Sequence, residues 1–235
     1  ISSLNQKISL LKKQSVDFII TKKFNKEFSK TKSIKFINQI ICKKLNPKFI
    51  FVSNNFKFGN KREGNVSQLV QYESSNNYKI IKPQPLLINK KIVSSSLIRN
   101  FLKNGKLKKV NKFLNRKWSI EGRVQKGRQL GKKIGFPTAN IDIKNYVLAK
   151  PGVYVVRALR HNSTKYIRGI ANLGYRPTFN GKKILLEVHL FNFSGNLYNK
   201  YLTVEFLNFI RKEKKFKNID QLKKQIKVDL KIAKK

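Results

Sequence analysis

Trp118-Ser119-Ile120-Glu121-Gly122-Arg123-Val124-Gln125 is the stretch on which the fold turns. Trp118, Ile120, Gly122 and Val124 alternate with Ser119, Glu121, Arg123 and Gln125. A period of two places one set on each face of a strand. Further short segments of strand character follow, with turn residues between them: Val153 to Leu159, Tyr166 to Leu173, Ile184 to Phe191 and Leu202 to Phe209. Strands that recur without intervening helices predict a small antiparallel barrel or sandwich. Asn218 then caps a final helix whose apolar stripe is Ile219, Leu222, Ile226 and Leu230.

Upstream of about Asn115 the pattern changes. Ser3 with Gln6 forms a capping box at the start of a helix that carries Leu4, Ile8 and Leu11. Val16 to Ile20 reads as a short buried strand. Phe36, Ile37, Ile40, Ile41 and Leu45 recur at a helical period after Ser33, and Pro47 stops them. Phe49 to Val52 reads as a second buried strand, Val66 to Asn76 as a helix and Tyr78 to Ile81 as another strand. Alternating helix and strand predicts a parallel α/β sheet, closed off by Pro83 and Pro85. Two short helices, Ser94 to Leu102 and Lys106 to Leu114, complete this half. The reading is therefore two domains: 1–115, α/β, and 116–235, β-rich with a terminal helix.

The 235 residues include 53 Lys and Arg against 11 Asp and Glu, a formal net charge of +42. The cations are spread along the chain and not gathered in one arm, which reads as a solvated basic surface. An aromatic content of 11% excludes a disordered basic tail. Cys42 is the single cysteine, so no intrachain disulfide or Cys-based zinc site can form. His161 and His189 are the only histidines, so a metal here would be a hard cation held by oxygens. No apolar run approaches the ~18 residues of a membrane span, and the cytoplasm is the default location. The chain starts at Ile1 in a helix and contains no Met, so it reads as a fragment that lost its N-terminus.

Gly127, Gly131 and Gly135, spaced by four, lead into Phe136-Pro137-Thr138-Ala139-Asn140, with Lys126, Arg128, Lys132 and Lys133 among them. Such a loop brings backbone N–H groups close to phosphates, although an ordinary hairpin turn also fits. It is not a Walker A loop, because Arg128-Gln129 stand where Lys-Ser/Thr would follow. Thr138 and Asn140, two apart on an extended segment, face the same way and offer neutral oxygens. That suits a Mg²⁺ taking most of its charge from substrate phosphates.

Gly135-Phe136-Pro137-Thr138-Ala139-Asn140 resembles the hallmark of riboflavin kinases. The likeness continues through Gly152-Val153-Tyr154, Asn172 to Phe179, Leu186-Glu187-Val188-His189-Leu190, Phe193, Leu197-Tyr198, Arg211-Lys212-Glu213 and Phe216. It covers the chain from about Arg116 to its end. It implies transfer of the ATP γ-phosphate to riboflavin to give FMN, with Thr138 and Asn140 at Mg²⁺. It also implies an ATP flap of Gly127, Gly131, Gly135, Phe136 and Pro137, Glu187 as catalytic base, and Arg211 near flavin or phosphate. On residues alone, Glu187 and His189 lie opposite the Leu186, Val188 and Leu190 face, where a solvent-facing carboxylate is equally natural. His189 reads as a neighbour of the base.

The first half resembles the FMN adenylyltransferase module of bacterial bifunctional enzymes, which make FAD from FMN and carry a Rossmann-like nucleotidyltransferase fold. Asn55-Phe56-Lys57-Phe58-Gly59, Arg62-Glu63-Gly64 and Val93 to Arg99 carry this likeness. Ser94, Ser95 and Ser96 start a helix, where free N–H groups favour an anion, and Arg99 adds a forked donor; a plain Ser cap also fits. Arg62, Ser94 to Ser96 and Arg99 are thus implied phosphate contacts. The family's Gly-x-Phe-Asp-Gly-x-His-x-Gly-His segment does not occur, so FAD synthesis is expected of a full-length protein and not of this chain. The family's Asp-Phe and Tyr-Gly pairs stand here as Asn192-Phe193 and Tyr198-Asn199, and Asn199 is expected to keep a positive φ. A basic nucleic-acid-binding barrel with Phe and Tyr among lysines, and an inactive remnant, are the rival readings. Nucleic acid and membrane are not expected partners.

Overall fold

The computed structural model describes residues 1–127, 129–144, 146–178 and 181–234. Arg128 of the basic loop and Phe179 lie outside the described residues. The chain forms two compact units, Ile1–Val16 with Val93–Lys235, and Asp17–Ile92.

The first unit is built on six strands: β1 Ser119–Gln125, β2 Ala139–Asp142, β3 Gly152–Arg160, β4 Ile167–Thr178, β5 Gly181–Leu190 and β6 Tyr201–Arg211. They close into a barrel in the order β4-β5-β2-β1-β6-β3, every pair antiparallel. Closure pairs every strand on both sides and leaves no free sheet edge. The period of two sends Ile120, Val124, Ile141, Tyr154, Val156, Leu173, Leu186, Val188, Val204 and Phe206 into the interior, where all are buried. Trp118 and Phe206 pack with ring centres 4.6 Å apart, and Tyr154 meets Phe206 edge-on at 5.1 Å. The register of β6 against β3 shifts at Phe206/Asn208 and at Phe209/Arg211, two irregularities of the kind that bend a strand around a barrel.

The opposite side chains of β3 and β4 form a second core. Val153, Val155 and Ile170 meet Ala233, Ile226 and Leu230 of the terminal helix, α5 (Ile219–Lys234), on the outside of the barrel. Asn218 caps this helix, its Oδ1 accepting from Gln221 N at 3.0 Å. Ile219, expected on the buried stripe, is exposed, and Asp229 is buried instead.

Four more helices belong to this unit: α1 Leu4–Lys12, α2 Ser95–Lys103, α3 Leu107–Leu114 and the short α4 Leu130–Lys133. The Ser3–Gln6 capping box forms as expected. Gln6 is itself buried, and its Nε2 donates to the carbonyl (3.2 Å) and hydroxyl (3.1 Å) of Ser119. Trp118 Nε1 donates to the Ile1 carbonyl at 3.0 Å. Asn111 of α3 accepts from Trp118 N at 2.8 Å and donates to the Phe206 carbonyl at 3.1 Å. These bonds pack 1–16 and 93–115 with the barrel, and the compact units divide at 16/17 and 92/93.

The second unit holds the expected parallel pair, Phe49–Phe51 beside Lys79–Ile81. Phe49 and Phe51 are 56% and 66% exposed, so the strand exists but is not buried. Residues 16–25 form neither strand nor helix, and Phe18 and Ile20 are 88% and 75% exposed. Their run of apolar residues satisfied the pattern of a strand, but no described strand pairs with them. Ser33–Lys35 opens as α-helix and continues as a π-helix over Phe36–Leu45, ended by Asn46 at φ 43°. Its Ile37 and Ile41 join Phe58, Leu69 and Tyr78 in a small core, where Tyr78 donates to the Leu69 carbonyl at 2.8 Å. The expected helix from Val66 shortens to Val66–Gln71, with a 3₁₀ turn at Ser74–Asn76. Leu87–Ile88 and Lys91–Ile92 make a hairpin that the sequence reading missed. Asn89 and Lys90 both take positive φ at its turn, as a type I′ turn requires.

Candidate active site

The barrel registers align one residue from each strand. Gln125 pairs with Asn140, Asn140 with Glu187, Glu187 with Asn172, Asn172 with Val153, and Val153 with Arg211. Residues paired across strands share a face. Here it is the outer face, since Leu186 and Val188 on either side of Glu187 fill the interior. Five of the six, all but Gln125, line a cavity of about 440 Å³. The glycine-rich loop, the segment after β6 and α5 complete its walls.

The loop is shaped by what its glycines lie against. At Gly127 a side chain would run into the Asn140 amide, and at Gly131 into the Phe136 carbonyl and Thr138 Oγ1. Both glycines permit close approach that no Cβ allows. Around Gly131 the chain makes one helical turn, Leu130–Lys133, and Phe136 N closes back on the Gly131 carbonyl at 2.8 Å. His189 Nδ1 lies 2.9 Å from the Pro137 carbonyl, and its ring meets Phe136 edge-on at 5.8 Å. His189 thus anchors the loop beside Glu187. Gly131, Phe136, Thr138 and Asn140 line the cavity; Gly127, Gly135 and Pro137 do not.

Asn140 is buried, and its Oδ1 has no hydrogen-bond partner among the described residues. A buried carbonyl oxygen left so costs about 1–3 kcal/mol. With Thr138 on the same wall it offers neutral oxygens to a hard cation. The donor set fits Mg²⁺.

Towards the β6 end of this row the charged groups are held by partners. Arg211 meets Asp229 through Nε (2.9 and 3.1 Å) and Nη2 (2.7 Å), and Asn172 Nδ2 donates to Glu213 Oε1 at 3.3 Å. Val153, Ile170, Leu185, Phe216, Leu222 and Ile226 supply the apolar lining.

Residues 114–235 match the family model of riboflavin kinase, and residues 1–97 that of FAD synthetase. Over its full length the chain is 40% identical to a bifunctional riboflavin kinase/FMN adenylyltransferase of Buchnera aphidicola subsp. Schizaphis graminum, covering 76% of that protein. Over 98% of its length it is also 40% identical to the protein of the same name from Haemophilus influenzae, covering 75% of it. The chain belongs to the bifunctional riboflavin kinase/FMN adenylyltransferase family. A crystal structure described as a macrolide-efflux protein from Streptococcus pneumoniae superposes with a TM-score of 0.83 at 28% identity, over 98% of this chain and 74% of that one.

Within the riboflavin kinase region, the motif residues Phe136, Thr138, Asn140, Asn172, Glu187, Arg211 and Glu213 come to one cavity from four strands and two loops. Asn192 and Asn199 take φ of 49° and 62°, so the Asn199 expectation holds. In the FAD synthetase region, Ser94 caps α2, with Leu97 N donating to its Oγ at 3.2 Å, and Ser95 and Ser96 are exposed, as is Arg99 just beyond that region. Arg62, at φ 63°, belongs to the other compact unit. Asp229 is a charged cavity residue that sequence reading missed. Its signal was present: Ile226, Asp229, Leu230 and Ala233 follow helical spacing, so one acid interrupts an apolar stripe.

Proposed function

We propose that this chain transfers the γ-phosphoryl group of ATP to riboflavin, giving FMN and ADP. The observation that carries it is the row Asn140–Glu187–Asn172 on one cavity wall, with a buried oxygen at Asn140, unpartnered among the described residues, beside a glycine-rich loop. Phosphoryl transfer asks for alignment, charge neutralisation and a base, and little covalent chemistry. Glu187 accepts the proton of the attacking riboflavin hydroxyl as its oxygen bonds to phosphorus, and the β–γ bond breaks with its electron pair leaving on ADP. Thr138 and Asn140 hold Mg²⁺, which supplies positive charge to the phosphates when bound. Lys126, Lys132 and Lys133 add charge around the loop, and Gly127, Gly131, Gly135, Phe136 and Pro137 shape the ATP flap. The apolar wall takes the flavin ring, with Arg211 at its edge.

The residues Arg62, Ser94, Ser95, Ser96 and Arg99 are read as phosphate contacts of the FMN adenylyltransferase region. His161 and His189 both lie in the riboflavin kinase region, and no Gly-x-His-x-Gly-His segment occurs. Adenylylation of FMN is therefore not expected of this chain. The +42 surface is read as solvated, with small-molecule substrates and no nucleic-acid partner. Band shifts at about 0.15 M salt, where the Debye length is about 8 Å, should show only weak binding without sequence preference. No helix among the described residues is long and apolar enough to cross a membrane, and a cytoplasmic location is part of the same reading.

The test is incubation with riboflavin, ATP and Mg²⁺ followed by separation of the flavins. FMN should accumulate without FAD. Absence of FMN overturns the kinase reading, and FAD formation overturns the expected loss of the second step.

A further inference from the structure

We propose that Asp229 is a positioning residue for the flavin: it holds the Arg211 guanidinium as a fixed plate in the cavity wall and so sets riboflavin affinity. This rests on the reading of the cavity as the riboflavin site. Asp229 is 1% exposed on α5, among the residues that pack the helix to the barrel. A carboxylate taken that far from water must be paired. Oδ1 accepts from Arg211 Nε and from Gln225 Nε2 (3.0 Å), and Oδ2 from Arg211 Nε and Nη2. Arg211 Nη1 donates to the Lys212 carbonyl at 3.0 Å, and the guanidinium carbon sits 5.9 Å from the centre of the Phe216 ring.

The guanidinium is thus held along two of its edges. Three of its five N–H groups are used, leaving one on each terminal nitrogen. Arg211, Asp229 and Phe216 all line the cavity. A ligand with in-plane carbonyl acceptors, such as an isoalloxazine, meets those two donors in a preset orientation. Stability alone is a poor account of the pair, since well-packed apolar residues replace a buried ion pair at little or no cost. A bidentate fork gives fixed geometry, which an apolar contact does not.

The experiment measures riboflavin affinity by quenching of flavin fluorescence, together with KM for riboflavin and for ATP, on the full chain. Asp229→Asn keeps the shape but replaces one acceptor by an NH₂ facing Arg211. It should weaken riboflavin by about 10- to 100-fold, the range for loss of a partner that orients a binding group, with KM for ATP within about twofold of wild type. Arg211→Lys should lose a similar factor, and the double variant no more than either single, because the two act as one unit. Unchanged riboflavin affinity in folded Asp229→Asn overturns the proposal, as do equal losses for ATP and riboflavin. Should Asp229→Asn fail to fold, Gln225→Ala removes one bond to Oδ1 from the half-buried side, and unchanged riboflavin affinity there overturns it too. A wild-type chain that binds no riboflavin refutes the reading of the cavity instead, so the two failures are distinct.

Discussion

Glu187 shares its register row with two amides, Asn140 on one side and Asn172 on the other, and each neighbour constrains what it does. Glu187→Gln keeps the size and removes the proposed base, so turnover should fall by about 10²–10⁴ while flavin binding stays close to wild type. Steady-state rates alongside fluorescence titration read both, and near-normal turnover removes Glu187 from the reaction. Asn140→Ala takes away a buried oxygen that has no partner among the described residues, so it should cost the barrel little stability. With Thr138→Ala, it should raise the Mg²⁺ concentration needed for half-maximal turnover. Overlaid Mg²⁺ curves for wild type and both variants would sink the metal assignment. Asn140 and Glu187 were legible from sequence because alternation fixes which way a strand residue points. Asp229 was legible only as a helix residue, and its partner lies across the fold on β6.

Among the elements, α1 shows how local and tertiary signals combine. Its capping box needs only Ser3 and Gln6, four residues of sequence. The same Gln6 then spends its amide on Ser119 of β1, more than a hundred residues away. Gln6→Ala should therefore destabilise the barrel unit by about 1–3 kcal/mol through the loss of buried bonds. Denaturant unfolding followed by Trp118 emission measures this, and an unchanged midpoint would mean the helix is a passenger. The stretch at 16–20 marks the opposite case. Its residues have strand character, but a strand exists only where a neighbour offers its backbone, and none of the described strands does.

On the scale of the molecule, the two compact units differ in how well they cover apolar surface. The barrel unit has a closed sheet and cores on both faces of β3. The unit of Asp17–Ile92 gathers five buried residues into one core cluster and leaves Phe18, Phe24, Phe49, Phe51, Leu86 and Leu87 exposed. It should be the less stable of the two. Trp118 is the only tryptophan and lies fully buried in the barrel unit. In a thermal scan, far-UV circular dichroism should begin to fall before Trp118 emission shifts. Coincident transitions would mean that the units unfold as one.

The sequence by itself determined five of the six barrel strands, all but Ala139–Asp142, the caps at Ser3, Ser94 and Asn218, and the outward face of Glu187. All of these follow from periods and side-chain chemistry within a few residues. It also carried the motifs that name the family. Only the tertiary structure decided that the sheet closes, that Arg211 is tied to Asp229, and that residues 1–16 and 93–115 pack with the barrel. Each of those depends on pairing between groups far apart in the chain. A linear pattern records which face a residue occupies, but not which distant surface will meet it.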